Sequence, residues 1–532
     1  TAPPPRASPP RSAALPAAAT YALALAATVL CALWVFDQPR MVSLALNSDT
    51  LLPFSFAWDL AHMPGAWRGH ELARIPSLVP DLAALAAIGA ATGAVRPTVL
   101  LYGIAQALAF VHVAAFLAAR LAGPDAAPRR FPRFAAACAL MSAALAALVA
   151  LEGASATGVV LNAFLPIDHF GPFLAAPLAG WLAAAQLRRT TARRALALAA
   201  CCSLAFLSDL LLLAEMVLPL LCACAVLVLA RRTPPRRAAG IAAAAAAGTF
   251  AGWLGFRALR MSGLRFESAP RLSPALVRAS IGDFLAHAPA YAAAHPAALA
   301  AGLLLPLAAF AAFPWLAFAQ ARRDPRARFS QDLFLWLFAG AGMAGGLAFT
   351  MLLYVDEASY RYLVALWAWP PVFLAATLLR TAPPALAAAA AALAACALAV
   401  PAGQGGWPPA VLRWDQDVAA CLRPLHASLG LHAGLAGYWD ARAIQAATGW
   451  TMQVDQLDGD GHPYLWGNDR GWYTHALADP SRPPDYDFIV MRDLPPARIL
   501  AAYGPPDSVA PCPPTEIWIY RNPAALAQRK QG

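Results

Sequence analysis

Apolar residues recur along most of this chain in blocks of roughly 17–25 positions. Each block is long enough to cross the hydrocarbon core of a bilayer as a helix. The first is 17–36. Others lie near 79–94, 98–119, 134–152, 170–187, 195–230, 238–256, 296–318, 332–354, 363–379 and 385–402. Two polar interruptions are long. Residues 37–77 read as a polar and aromatic loop. From 403 onward the blocks stop and short alternating runs replace them. "DYDFIVMRD" (485–493) and "EIWIYR" (516–521) have strand character. The pattern predicts a polytopic α-helical membrane protein of about 13 spans, followed by a separate C-terminal α/β domain. Residues 1–16 are Pro-rich, carry Arg6 and Arg11, and read as a disordered cytoplasmic N-terminus.

Composition agrees with the pattern. The 532 residues are 60% hydrophobic and 13% charged, with a mean hydropathy of +0.54; soluble domains carry about 25% charge. The net charge of +10 raises nucleic-acid binding and the placement of the arginines argues against it. They cluster in short connections between blocks: Arg188, Arg189, Arg193 and Arg194, then Arg231, Arg232, Arg236 and Arg237, then Arg322, Arg323, Arg326 and Arg328. This is the positive-inside signature of cytoplasmic loops. The 195–230 block is flanked by such clusters, so it reads as a hairpin of two short spans turning near "FLSDLLLLAEMVLP". Counting onward places the loop 257–295 and the domain 403–532 outside, in the periplasm of a bacterial inner membrane. The segment 153–168 restores parity upstream, either as a short span or as a re-entrant segment. The membrane domain is then 17–402, with 37–77 as its first periplasmic loop.

The nine cysteines divide the same way. Seven lie in apolar runs, where cysteine acts as a small hydrophobe. Cys421 and Cys512 lie in the polar C-terminal segment, and one such pair suggests a disulfide in an oxidising compartment. No Cys/His cluster has zinc-site spacing.

On this topology the acids beside the membrane gather on one side. Asp49 and Asp59 follow the first span, and Glu71 and Arg74 lie further along the same loop. Asp168 and His169, in "PIDHFGP", cap a hairpin. Asp209 is at another, with Glu215 about two turns on. Arg361 and Tyr362, in "YVDEASYRYL", are at a fourth. Ionisable groups at membrane depth are costly and mark function by default. Water and headgroups could equally solvate any one of them. Together they suit transfer from a charged lipid donor: an Arg holds phosphate, and a carboxylate takes the proton of an attacking hydroxyl. The aromatic stretch 438–473 suits a sugar, or forms a small domain core. "DQLDGDGH" (455–462) lacks the distal Glu of a calcium loop and reads as an ordinary turn.

The layout resembles the GT-C superfamily of integral membrane glycosyltransferases, which includes protein O-mannosyltransferases and lipid A aminoarabinose transferases. The shared features are "NSDTLLP" after the first span, a long first loop ending "GAWRGHELARIPSLVPDL", the hairpin Ser208-Asp209 before Pro219, the external "YRYL", and a C-terminal periplasmic domain. The resemblance implies a polyprenyl-phosphate-linked sugar donor and a periplasmic glycan, lipid or protein acceptor. It implies Asp49 as the general base. By analogy of position it implies Arg361, with Tyr362 beside it, as the donor-phosphate group. Asp59 stands nearest to the place where the mannosyltransferases carry an adjacent Asp-Glu pair. Some members hold a divalent metal, Mg or Mn, between carboxylates; Asp49, Asp168 and Asp209 are the set available for one, although their spacing does not require it. Two other readings stay open: a lipid-linked glycan flippase or transporter, and an O-antigen-ligase-like enzyme.

Overall fold

A computed structural model describes residues 14–62, 66–73, 76–123, 130–152, 160–166, 169–267, 273–294, 304–323, 329–381, 389, 407–477, 479 and 481–521. The fold is predominantly helical, with a small C-terminal sheet region, as in a polytopic helical membrane protein. Among the described residues seven helices are long and apolar enough to cross a membrane: Pro16–Phe36, Val95–Leu121, Arg130–Ala150, Phe170–Arg188, Pro235–Met261, Ser330–Leu352 and Ser359–Thr381. Three shorter apolar helices are Leu78–Thr92, Leu213–Leu229 and Phe310–Ala319.

The chain forms two compact units. One comprises Thr1–Val35, Tyr102–Leu254 and Arg271–Trp407, and the other Phe36–Leu101, Gly255–Pro270 and Pro408–Gly532. The first holds most of the apolar helices. Small residues let them approach closely: a Cβ added at Gly345 would fall 2.1 Å from the Ala214 carbonyl oxygen, and one at Gly248 equally close to that of Ala199. Aromatic rings fill the wider gaps. Phe170 stacks on Trp367 at 5.2 Å, and Phe338 meets Trp369 edge-on at 5.6 Å. Arg380 donates to Asp332 at 2.7 Å and to the Leu121 carbonyl, which ties the ends of three helices.

Among its described residues the second unit has eight short strands: β1 His70–Leu72, β2 Arg265–Phe266, β3 Ala433–Gly437, β4 Gln453–Leu457, β5 Asn468–Asp469, β6 Tyr486–Val490, β7 Ser508–Cys512 and β8 Thr515–Ile519. Five form a sheet in the order β4-β3-β6-β8-β7, parallel on the β4-β3-β6 side and antiparallel beyond. Both faces are covered, and β6 accordingly carries the continuous apolar stretch Phe488–Val490 after Asp487. Phe488 and Val490 join Val418, Leu422 and Ile444 on one face; Ile489 joins Leu435, Ile499 and Trp518 on the other. Cys421, on the helix Asp417–Leu429, is disulfide-bonded to Cys512 at the end of β7, with their Cα atoms 5.9 Å apart. β2, β1 and β5 make a second, three-stranded sheet from three distant parts of the sequence.

Several expectations change. Residues 37–77 are not an extended loop: helices Pro39–Ala45 and Ser48–His62 occupy much of the segment. Their hydropathy is too low to stand out as apolar runs, and the second contains Pro53. The 79–94 block is a short helix, kinked at Val79, and belongs to the second unit. The described part of 153–168 is a single 3-10 turn, Leu161–Phe164, followed by extended backbone at Leu165, not a membrane-length helix. The 195–230 block, by contrast, divides where expected, into the helices Ala192–Ser208 and Leu218–Leu229 with a break at Asp209. The run 385–402 lies outside the described residues, Ala389 excepted, and Arg74 and Asp168 lie outside them entirely.

Candidate functional site

In the second unit, Asn47 caps the helix Ser48–His62 by accepting from the Thr50 N–H at 2.9 Å. This places Asp49 in the first turn, where the helix dipole favours an anion. Asp49 is half-buried, and its Oδ1 accepts from the phenol of Tyr438; the adjoining Ser48 hydroxyl donates to the Tyr438 carbonyl. Two consecutive residues of one helix thus grip the first residue of another, Tyr438–Ala447. The Tyr438 ring meets Trp439 at 4.9 Å, Trp466 at 5.1 Å and Tyr464 at 5.6 Å, all edge-on. Trp439 is exposed, while Tyr464 and Trp466 are half-buried. Burial pushes the Tyr438 phenol well up, and the Asp49 charge pushes it further. Tyr464 is raised by burial first and then by Glu267, Asp49, Asp458 and Glu71. An acidic, aromatic surface therefore surrounds Asp49. Such a surface pairs ring faces with sugar CH faces and carboxylates with hydroxyls.

Further along the same helix, Asp59 enters a buried cluster that sequence reasoning missed. His70 Nε2 lies 2.6 Å from Asp59 Oδ2 and 3.8 Å from Asp469 Oδ2. Asp59 and His70 are fully buried and Asp469 is 1% exposed. Burial pushes Asp59 up to about 8, against the lowering pull of Arg442. Burial holds His70 down at about 4, against the Asp469 charge. Arg442 is also fully buried; it donates to Gln445 and Asn468 and lies 3.4 Å from the centre of the Trp472 ring. Asp455 accepts from Gln453 at 2.9 Å and from the Tyr486 phenol. Glu71, on β1 beside His70, faces Arg470 at 3.9 Å.

The aromatic stretch 438–473 divides between both of its readings. Trp472 is core, and the Tyr473 phenol donates to the Gln456 carbonyl at 2.5 Å. Tyr438, Trp439, Tyr464 and Trp466 form the surface beside Asp49. In "DQLDGDGH", Asp455–Leu457 end β4 and the rest is a turn closed by Asp458 Oδ1, which accepts from the Asp460 and His462 N–H groups.

The first unit brings another set together. His169 Nδ1 is 2.8 Å from Asp209 Oδ2, a contact that fixes the orientation of the ring. Asp209 Oδ1 accepts from the Leu211 N–H at 2.8 Å, and this local turn ends the preceding helix. The His169 ring meets Tyr362 edge-on at 4.8 Å, and the Arg361 guanidinium lies 5.5 Å from the centre of the Tyr362 ring. His169 has φ +66°, a left-handed conformation that costs a side chain about 1–3 kcal/mol and is concentrated at functional positions. Glu215 is fully buried nearby, accepting from the Ala365 N–H at 3.4 Å. Its signal in the sequence was an acid inside an apolar run.

Asp49, Asp59 and Glu71 thus belong to one unit, and His169, Asp209, Arg361 and Tyr362 to the other. Of the three carboxylates available for a metal, Asp49 and Asp209 fall in different units and Asp168 lies outside the described residues. Comparison with known proteins returns no matching family model and no matching curated protein.

Proposed function

We propose that this chain is a GT-C-like glycosyltransferase of a bacterial inner membrane, with about 13 spans and the 403–532 domain in the periplasm. It moves a sugar from a polyprenyl-phosphate donor to a periplasmic glycan, lipid or protein. The observation that carries the reading is Asp49: a half-buried carboxylate at a helix start, oriented by Tyr438 and bordered by Tyr464 and Trp466. In the reaction, the acceptor oxygen bonds to the anomeric carbon as the bond from that carbon to phosphate breaks. The acceptor proton passes to Asp49, and polyprenyl phosphate leaves. Inversion requires the base on the face opposite the leaving group. The resemblance assigns to Arg361, beside Tyr362, the neutralising of the departing phosphate, a role that would lower the barrier without any covalent step on the protein.

The test is transfer from a panel of polyprenyl-phosphate monosaccharides by the purified full chain in nanodiscs. Asp49→Asn lowers turnover by about 10²–10⁴-fold, the usual contribution of a general base, with an unchanged thermal midpoint. Arg361→Ala raises the donor KM more than the acceptor KM. Full activity in Asp49→Asn removes the base assignment. No transfer by the wild-type chain from any donor in the panel removes the reading itself.

A further inference from the structure

Asp59, His70 and Asp469 each offer one ligand atom, and these atoms lie within 4.8 Å of one another. They come from three elements: the helix Ser48–His62, β1 and β5. β1 pairs with β5 through His70↔Asp469, which fixes two of the ligands across one rung. Gly471 N–H donates to Asp469 Oδ1 at 2.7 Å and starts a 3-10 turn. Asp469 Oδ2 is thereby left facing His70. The ring of Phe56 packs edge-on against His70 at 4.8 Å, and Trp472 does so at 5.9 Å.

Burying this set without a further partner is expensive. Asp59 Oδ1, Asp469 Oδ2 and His70 Nδ1 are buried and make no hydrogen bond. A buried polar atom left unpaired costs about 1–3 kcal/mol, and more when charged. Balancing the charge takes either a proton on Asp59 or a further cation. Asp59, Asp469 and Asp455 surround one cation, Arg442. If Asp455 and Arg442 neutralise each other, two carboxylates and an imidazole remain, and buried charges are paired or coordinate metals.

We propose that Asp59, His70 and Asp469 bind one divalent transition-metal ion, Zn(II) in preference to Mg(II), as a structural clamp. One imidazole nitrogen with two carboxylate oxygens suits zinc, whereas magnesium favours an oxygen shell rich in water. Zinc takes ligands at about 2.0–2.2 Å, so neighbouring ligand atoms stand about 3.3–3.5 Å apart in a tetrahedron. The observed separations of 2.6 and 3.8 Å bracket that value. All three ligand atoms lie within 4.8 Å of one another, so the set must contract slightly around the ion. The ion would replace the Asp59–His70 contact by two bonds and neutralise both carboxylates. It would cross-link the first polar segment to the C-terminal segment within the same unit. The inference does not depend on the proposed transferase activity.

The experiment uses the full chain in detergent, stripped with chelator and then titrated with Zn(II), Mn(II) and Mg(II) separately. Stoichiometry is read by elemental analysis and heat of binding. The expected result is one Zn(II) per chain, at least tenfold tighter than Mn(II), and a thermal midpoint several degrees higher when loaded. X-ray absorption of the loaded chain should show nitrogen and oxygen ligands, one imidazole and no sulfur. Asp469→Asn keeps the oxygen that accepts from Gly471 and replaces the one facing His70; it should lose the ion. His432→Gln removes an exposed imidazole near His426 and should retain it. A wild-type chain that binds no stoichiometric Zn(II) overturns the proposal and leaves a proton shared between Asp59 and His70 as the account of the cluster. Sulfur in the absorption spectrum, or undiminished zinc in a folded Asp469→Asn chain, overturns it also.

Discussion

Asp487 shows how one half-buried carboxyl ties this protein's stability to pH. It lies on β6, where burial pushes it up to about 6; the N–H groups of His432 and Ala433 act in the opposite sense. Its unfolded value is 3.8. A raised carboxyl favours the folded state when protonated. That contribution is complete below about pH 4 and is lost as pH rises to about 6. The loss is about 2 kcal/mol, with allowance for screening at a partly exposed group. Asp487→Asn keeps an oxygen to accept from His432 and cannot ionise. Its thermal midpoint should exceed that of the wild type at pH 7 and converge with it near pH 4; two parallel curves would refute the assignment. Legibility at this scale depended on contrast. Asp49, Asp209 and Arg361 stand out because they adjoin apolar runs. His70, Asp469 and Tyr438 lie in stretches already rich in polar and aromatic residues. Their importance comes from partners hundreds of positions away, and no local spacing encodes that.

At the scale of elements, close packing rests on glycines whose partners can be named. Gly248 and Gly252, four apart on the helix Pro235–Met261, face Ala199 and Ser203 on the helix Ala192–Ser208. A Cβ would fall 2.1 Å from the Ala199 carbonyl oxygen and 2.6 Å from that of Ser203. Small residues at this spacing let helices approach where lipid supplies no hydrophobic drive. Gly248→Leu should cost about 1–3 kcal/mol through overpacking, seen as a lower thermal midpoint in detergent. Gly240, on the same helix, has nothing within 4 Å of its would-be Cβ, and Gly240→Ala should leave the midpoint unchanged or slightly raised. An undiminished midpoint in Gly248→Leu would mean that this close approach does not limit stability. Long apolar helices were legible because twenty consecutive apolar residues leave few alternatives. The helix Ser48–His62 was not, since Asp49, Pro53 and Asp59 interrupt it and its apolar face becomes apparent only beside its partner helix, Tyr438–Ala447.

For the molecule as a whole, the less expected feature is the make-up of the second unit. Sequence suggested a first loop and a separate C-terminal domain; the unit is assembled from both, with Gly255–Pro270 between them. Its joints are of several kinds. Asp37 accepts from the Ala410 N–H at 2.8 Å and from Arg413 at 3.1 Å. Arg96 donates to the Leu412 carbonyl at 3.3 Å, and Tyr438 donates to Asp49. β1 pairs with β5 as well as with β2. Exposed ion pairs contribute about 0–1 kcal/mol each, so the charged contacts alone would not hold two chains together. Apolar contacts of the Ser48–His62 helix add to them at about 25 cal/mol per Å² of apolar surface: Trp58 stacks on Trp450 at 5.5 Å, and Leu52 packs against Gly467. This predicts the behaviour of a nicked chain. A protease site placed in the Gly-rich "PAGQGG" (401–406) and cut after purification should give two polypeptides that still elute together in detergent, at moderate and at high salt. High salt screens the ion pairs and leaves the apolar contact intact. Dissociation at high salt alone would transfer the main role to the charged joints. Dissociation under both conditions would mean that covalent continuity, rather than packing, keeps the C-terminal segment on the first-loop helix.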